Sequence, residues 1–484
     1  MTYGVIKRMK WWESLLITLI ILVGFSVRLY RFSGPIADWQ SWRQADTSAV
    51  SRGFVERGFD VLHPTFEDIS NVPSGKDNPN GYRFVEFPIY NIAQAGLYKI
   101  FGGLTLEEWG RMITIIASLA ASFFVYLLGK KHFNSAVGLL AAGFLALDPY
   151  NIYYGRVILP DPLMVTTTLG GIYFFNLWVD DTGRYWWSFF VAFLFISSSL
   201  LLKPYALFFF LPLVYLAFKK WSWKMFIKPQ LWLFAIGTIL PLVGWRIWMT
   251  GFPEGIPANS WLFNGNGIRF KGAYFYWLFA DRIGRLILGY WGLFVVLVGF
   301  TAKFKRGTGF FVSFLLSSLL YLIVIATGNV QHDYYQILIT PTLAFFFGLG
   351  GYFLLTSEVL DRKVSSILFV ISTVFMIMFG WYFIRDYFNI NNPAIVIAGE
   401  AVDRLTPKDA KVIAPYNGDT AFLYQTKRKG WPVLEKPLPD LISMGADYLV
   451  IANPQQQDLN LGKTYGVISK TNQYLILNLH ETKR

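Results

Sequence analysis

Residues 11–30 read WWESLLITLIILVGFSVRLY, and the reading of that stretch decides the solvent for the whole chain. An apolar run of about 20 residues is long enough to cross the hydrocarbon layer of a bilayer as a helix. It lacks a small-residue cleavage pattern, so it reads as a retained first membrane helix and not as a removed signal peptide. The same texture recurs in windows near 12–31, 107–128, 135–149, 159–178, 186–202, 204–218, 230–249, 284–302, 309–327, 337–355 and 365–384. The third and sixth windows are short and need flanking residues. The expected fold is an all-α polytopic membrane protein of about eleven transmembrane helices, completed by a small α/β module.

Composition agrees. The chain is 54% hydrophobic and 19% aromatic, with only 15% charged residues, whereas a soluble domain carries about a quarter. The net charge of +13 would suit nucleic acid, but no basic run sits on a recognisable nucleic-acid module. Its placement explains it instead. Lys7, Arg8, Lys10, Lys130, Lys131, Arg184, Lys219, Lys220, Lys224, Lys228, Lys303, Lys305, Arg306, Arg362 and Lys363 all fall in alternate connecting segments. The opposite short loops hold little beyond Arg156 and Lys203. By the positive-inside rule the N-terminus is cytoplasmic and the C-terminal module extracytoplasmic, in a cell (inner) membrane. With no cysteine in the chain, disulfides, thiolate metal sites and cysteine nucleophiles are excluded.

Two outer segments are too long for connectors within a transmembrane body of residues 1–385: 32–108 and 251–281. In the first, Val50, Phe54 and Val55, and then Ile89, Ile92 and Ala93, recur at helical spacing, as amphipathic helices along an interface would. The second is rich in Gly, Pro, Asn and aromatics, which suits a shaped binding loop. Residues 386–484 have the composition of a soluble domain. Helices are expected over Pro393–Leu405 and Leu438–Met444, strands over Ala410–Pro415 and Ala446–Ile451, and one or two strands at the end. That alternation makes a small α/β outer cap or acceptor platform.

The residues that carry chemistry lie at the outer ends of spans, where charge is costly and is by default functional or paired. Asp38-Trp39-Gln40-Ser41-Trp42-Arg43-Gln44-Ala45-Asp46-Thr47 brings two carboxylates and an arginine together. Either aspartate could take a proton from an acceptor hydroxyl; equally, Asp46 before Thr47 and Ser48 could cap a helix. In Gly155-Arg156-Val157-Ile158-Leu159-Pro160-Asp161-Pro162, two prolines fix where Asp161 points; an N-cap for the next span is also a good reading, and the two roles are compatible. Lys203-Pro204 breaks an apolar run, as a snorkelling lysine or as a cation for a ligand. Arg246, near the outer end of its span, needs a carboxylate or phosphate partner. Gln331-His332-Asp333-Tyr334-Tyr335-Gln336 is a tight polar loop, and Glu86-Phe87-Pro88 adds a further carboxylate. Cations beside lipid suit a lipid-phosphate leaving group, and acids suit hydroxyl activation, which together describe glycosyl transfer from a lipid-phosphate sugar.

These motifs resemble the C-type membrane glycosyltransferases, specifically the protein O-mannosyltransferase and aminoarabinose transferase family. Trp42-Arg43-Gln44-Ala45-Asp46-Thr47 resembles a signature of a prokaryotic branch, Arg156 to Asp161 the second-loop motif, and Glu86-Phe87-Pro88 the first-loop glutamate-proline element. Lys203-Pro204 and His332-Asp333-Tyr334-Tyr335 resemble the family's lysine-proline and His-x-Tyr-Tyr elements. The resemblance covers roughly residues 10–385. The family's first loop often opens on an Asp-Glu pair, absent here, so Asp46 is favoured over Asp38 because it lies inside the signature.

The resemblance implies a polyprenyl-phosphate monosaccharide donor held beside membrane lipid, and inverting transfer to a glycan, lipid or protein acceptor. In that role Asp46 (or Asp38) is the base and Asp161 assists by orienting the acceptor or the interfacial loop. Lys203, Arg246, Arg156 and His332 meet the phosphate, and Arg43, Glu86, Tyr334 and Tyr335 contact substrate. No cofactor is required. A divalent metal on Glu86 and His332 is conceivable but unsupported. The rival class is a transporter or flippase for a lipid-linked saccharide, which would place charge near the bilayer midplane and show inverted repeats.

Overall fold

The computed structural model describes residues 9–302 and 307–482. Lys7, Arg8, Lys303, Lys305 and Arg306 of the orientation reading lie outside the described residues. Among the described residues, six helical segments are long and apolar enough to cross a membrane. They begin at Trp11, Leu106, Asp161, Pro229, Tyr335 and Arg362. A seventh arises if Gly272–Ile287 and Gly292–Thr301, bent by 114° at a short break, form one broken span. Ser135–Leu147, Trp186–Leu202 and Thr308–Val324 are apolar but shorter. The window near 204–218 is a 3-10 stretch, Pro204–Phe210, running into a helix, Leu211–Trp221. Proline removes a backbone donor and opens the turn there. The chain is thus a mostly helical, multi-pass membrane protein with a small C-terminal sheet.

The structure divides into two compact units. The first takes in Met1–Phe32, Met112–Trp245 and Asn259–Asp386. Without a hydrophobic driving force between helices in lipid, close approach of small residues holds such a bundle together. A Cβ on Gly350 would lie 1.9 Å from the Val295 carbonyl, and one on Gly299 2.0 Å from the Phe346 carbonyl. Gly129 and Gly138 also face each other: a Cβ on Gly129 would be 2.8 Å from Gly138 Cα. Two buried charges tie helix ends. Glu13 takes Lys130 and Ser135 at 2.5 Å each. Arg28 donates to the Ala146, Gly24 and Asn151 carbonyls at 2.6, 2.9 and 3.2 Å.

The second unit is assembled from three separated stretches, Ser33–Arg111, Arg246–Ala258 and Tyr387–Arg484. Its sheet contains β1 (Val412–Ile413), β2 (Gly430–Trp431), β3 (Tyr448–Ala452), β4 (Tyr465–Lys470) and β5 (Tyr474–Thr482) in the order β2-β1-β3-β5-β4. The β1 pairings are parallel, and those of β5 with β3 and β4 antiparallel. The first loop extends this sheet: Ile69 N–H donates to the Gly430 carbonyl at 2.9 Å, and Gly430 N–H to Glu67 at 3.0 Å. Ile69 then joins Ile413, Trp431, Leu449 and Leu477 in the core. Pro393–Leu405 and Leu438–Ser443 are helices as expected.

The helix containing Val50, Phe54 and Val55 departs from expectation. It spans Ser41–Arg57, and Arg43, Gln44, Asp46, Thr47, Ser48, Ser51 and Arg52 are all buried in it. Polar side chains therefore line its packed faces, and it has no single apolar stripe. Ile89–Phe101 fits the amphipathic reading better, with Tyr90, Asn91, Gln94 and Ala95 buried and Ile100 and Phe101 exposed.

Gly350→Ala is expected to cost about 1–3 kcal/mol through overpacking, read as a lower melting temperature of the purified protein in detergent. Gly244→Ala, whose Cβ meets nothing within 4 Å, is expected to leave the melting temperature unchanged.

Candidate active site

Sequence-predicted residues gather in two clusters, one in each unit. In the second unit, Gln40 adopts a left-handed φ of 57° and turns the chain into the Ser41–Arg57 helix. Asp46 therefore lies inside the helix and not at its start, which overturns the capping reading. It is 4% exposed, and both carboxylate oxygens are engaged. Oδ2 accepts from Arg83 at 2.5 Å, and Oδ1 accepts from the Thr420 hydroxyl at 2.6 Å. Arg43 pairs with Glu86 at 2.5 Å. Arg43, Asp46, Thr47, Arg83, Glu86 and Asn91 border one small hollow, completed by Val50, Pro64, Val85 and Pro88. Asp38 is also buried, but accepts from Gln44 at 2.7 Å and does not border the hollow. Arg246 is half-buried on the Pro229–Met249 helix.

Two neighbouring acids are perturbed. Burial is the main cause that pushes Asp68 up to about 7; the Asp46 charge adds to it, while hydrogen bonds from Ser70 and the charge of Arg83 oppose it. Burial likewise pushes Asp419 up to about 6, opposed by the Ala421 N–H and assisted by Asp46.

The first-unit cluster is built around a buried ion pair. Lys203 Nζ lies 2.8 Å from Asp161 Oδ1, with side chains 8% and 6% exposed. The chain reaches Lys203 as the Trp186–Leu202 helix ends in extended backbone, and Pro204 follows. An ammonium so enclosed does not snorkel. Asp161 is the first residue of its helix, with Pro160 in the capping place and no side-chain cap bond. The N-cap reading fails because the carboxylate turns to Lys203. Its other oxygen, Oδ2, is buried without a hydrogen-bond partner. Lys203 also lies 5.3 and 5.5 Å from the ring centres of Tyr334 and Tyr335, a cation–π arrangement. Tyr150 and Tyr154 anchor the polar loop by donating to the Asp333 carbonyl and carboxylate at 2.6 and 2.7 Å. Arg156 donates to the Arg31 carbonyl at 2.9 Å.

His332 differs from expectation in charge. Burial chiefly, with help from Lys203 and Arg282 and against Asp333, lowers it to about 4. It is neutral at pH 7, able to hydrogen-bond a phosphate but not to neutralise it.

Three features escaped the sequence reading. Arg83 and Thr420 lie 37 and 374 residues from Asp46. Arg282 and Arg285 both clamp Asp281 at 2.7 Å; their spacing from it was the available signal. Among the described residues, no group of three or more His, Asp or Glu is placed to hold a metal ion.

Against known proteins, residues 85–248 match the family described as dolichyl-phosphate-mannose-protein mannosyltransferase. Among solved structures, ArnT from Cupriavidus metallidurans bound to undecaprenyl phosphate aligns with a TM-score of 0.65 at 12% identity, covering 95% of this chain and 97% of that one. The Archaeoglobus fulgidus oligosaccharyltransferase in its apo form aligns at 0.55 and 12%, over 95% and 73%. The mycobacterial arabinofuranosyltransferase AftD also aligns at 0.55 and 12%, over 94% and 37%. A sequence search of curated proteins finds no match. The class is therefore that of multi-pass membrane proteins with the C-type glycosyltransferase fold. Within it, the chain resembles the protein O-mannosyltransferase family, as its loop motifs implied, and that family and these structural neighbours are glycosyltransferases.

Asp68 supplies a pH test. Its folded pKa is raised, so below its unfolded value both states are protonated and no penalty exists. The penalty grows as pH rises from about 4 to about 7 and persists above. Asp68→Asn, which keeps an acceptor for Ser70, is expected to leave stability at pH 4 unchanged. At pH 8 it is expected to raise stability by about 4 kcal/mol, seen as a pH-dependent gain in melting temperature.

Proposed function

We propose that this protein is an integral-membrane glycosyltransferase that moves a monosaccharide from a polyprenyl-phosphate donor to an acceptor hydroxyl, with inversion. The observation that carries the reading is Asp46, buried in a polar helix at the edge of a hollow and flanked by Arg83. Burying a carboxylate and a guanidinium costs several kcal/mol before pairing offsets it, and packing alone would be served by apolar side chains. The undecaprenyl phosphate bound to the similarly folded ArnT supports a polyprenyl-phosphate donor.

In this mechanism the acceptor oxygen attacks the anomeric carbon while an Asp46 oxygen takes the hydroxyl proton. The bond from that carbon to the phosphate oxygen breaks, and polyprenyl phosphate leaves with the electron pair. A single displacement of this kind inverts the carbon. Arg246, of the same unit as Asp46, offsets the phosphate charge as it develops; Lys203, Arg156 and neutral His332 of the first unit are the phosphate contacts that the family resemblance implies. Asp161 holds Lys203 in place, and its unpartnered oxygen receives a donor from substrate. Asp38 is kept as the reserve base. Arg43, Glu86, Tyr334 and Tyr335 shape the substrate surface. The reading has an N-terminus in the cytoplasm, outer segments at the opposite water interface, and eleven spans once the three shorter helices, the bent pair and the broken segment from Pro204 to Trp221 are counted.

The test is turnover in proteoliposomes supplied with polyprenyl-phosphate monosaccharides and no ion gradient. Asp46→Asn, Asp161→Asn and Lys203→Met are each expected to lower turnover at least about 100-fold. Wild-type turnover in both aspartate variants removes the site assignment. Donor translocation without cleavage would make the protein a transporter instead.

A further inference from the structure

Thr420 belongs to the C-terminal stretch of the second unit, yet its hydroxyl is engaged by Asp46. The oxygen is 2.6 Å from Asp46 Oδ1 and 3.2 Å from the Trp42 carbonyl. A hydroxyl has one proton to give, and the shorter, charge-assisted contact takes it. With Arg83 on Oδ2 at 2.5 Å, each oxygen of the proposed base already accepts a bond. What occupies Oδ1 is an aliphatic alcohol, the same chemical group that an acceptor would present.

The placement is held from behind. Asp419 accepts from the Ala421 N–H at 2.7 Å, and Ala421, Phe422 and Leu423 are wholly buried. Arg52 of the Ser41–Arg57 helix donates to the Tyr424 carbonyl at 3.0 Å and covers its ring at 3.7 Å. Gln425 donates to the Ile36 carbonyl at 2.9 Å. The Ala421–Thr426 helix is therefore fixed, while Thr420 itself is only half-buried. Rotation about χ1, between staggered wells, swings the hydroxyl off Asp46 without moving the backbone.

We propose that Thr420 is an internal stand-in for the acceptor hydroxyl. It occupies the acceptor's place on Asp46 in the resting protein, keeps water from being activated there, and yields by side-chain rotation when an acceptor arrives. This rests on the reading of Asp46 as the base. The side reaction it suppresses is donor hydrolysis. There, a water oxygen bonds the anomeric carbon, its proton passes to Asp46, and polyprenyl phosphate leaves, releasing free sugar.

The experiment uses the full chain in proteoliposomes with radiolabelled undecaprenyl-phosphate mannose and water as the only acceptor, reading free mannose. Thr420→Val and Thr420→Ala both remove the hydroxyl and are expected to raise hydrolysis about 10-fold, the scale of a lost hydrogen bond to a charged group. Thr420→Ser retains the donor and is expected to hydrolyse slowly, like the wild type. Adding Asp46→Asn to Thr420→Val is expected to abolish the gain. If the wild type consumes donor in an Asp46-dependent way and neither Thr420→Val nor Thr420→Ala raises hydrolysis, the stand-in role is overturned and the base assignment stands. Mannose found covalently on Thr420 would also overturn it, because the residue would then be a substrate. If Asp46→Asn consumes donor like a hydrolysing wild type, or if neither the wild type nor any Thr420 variant consumes donor, the underlying reading fails and takes this inference with it.

Discussion

Charge withdrawn from water has to be met by opposite charge or by a hydrogen-bonding partner, and the second unit of this protein is organised by that requirement. The Ser41–Arg57 helix has too few apolar residues to be packed by hydrophobic contact alone. It is nonetheless buried, because its charged side chains and several of its other polar ones have counterparts brought from elsewhere. Arg43 has Glu86, Asp46 has Arg83 and Thr420, and Ser51 has Gln94. Arg52 is met by Glu67, Glu107 and Tyr424. Those counterparts come from the first loop and from the C-terminal stretch. The joined edge between Ile69 and Gly430 follows from the same need to bring them together.

The first unit meets the requirement with a different economy of parts. Glycines at 129, 138, 299 and 350 let helices touch backbone to backbone, so that dispersion, not side-chain charge, supplies most of the contact. Charge appears where helices stop: Arg28 near the end of the first helix, Asp161 at the start of another, and Lys203 at a proline break. The neutral state of His332 is chiefly a consequence of its burial, with the nearby cations Lys203 and Arg282 pushing the same way against Asp333.

Spans were legible because a helix in lipid must be apolar along about 20 residues, and each window falls on helical structure. Their exact number was less so, since proline at 204 and the 114° bend after Ile287 divide segments that composition reads as continuous. The Ser41–Arg57 helix was legible as a helix but not in its limits. Its first residue follows a left-handed Gln40 with no side-chain cap, a start that pattern does not announce. The two-residue strand Gly430–Trp431 is too short for any period to appear. Asp46, Asp161 and Lys203 stood out by type and neighbourhood. Arg83 and Thr420 did not, because their meaning lies in a partner distant along the chain, and ordinary loop threonines and arginines look the same.

Assembly of the second unit from early and late segments also bears on biosynthesis. The Ser41–Arg57 helix leaves the ribosome hundreds of residues before Thr420 and Gly430, so Asp46 acquires its complete surroundings only after those later segments have been made. A nascent chain whose membrane helices are already inserted therefore lacks a finished centre, and a truncated product would carry buried polar groups without partners. Quality control by proteolysis has a ready mark in that exposed, unsatisfied helix.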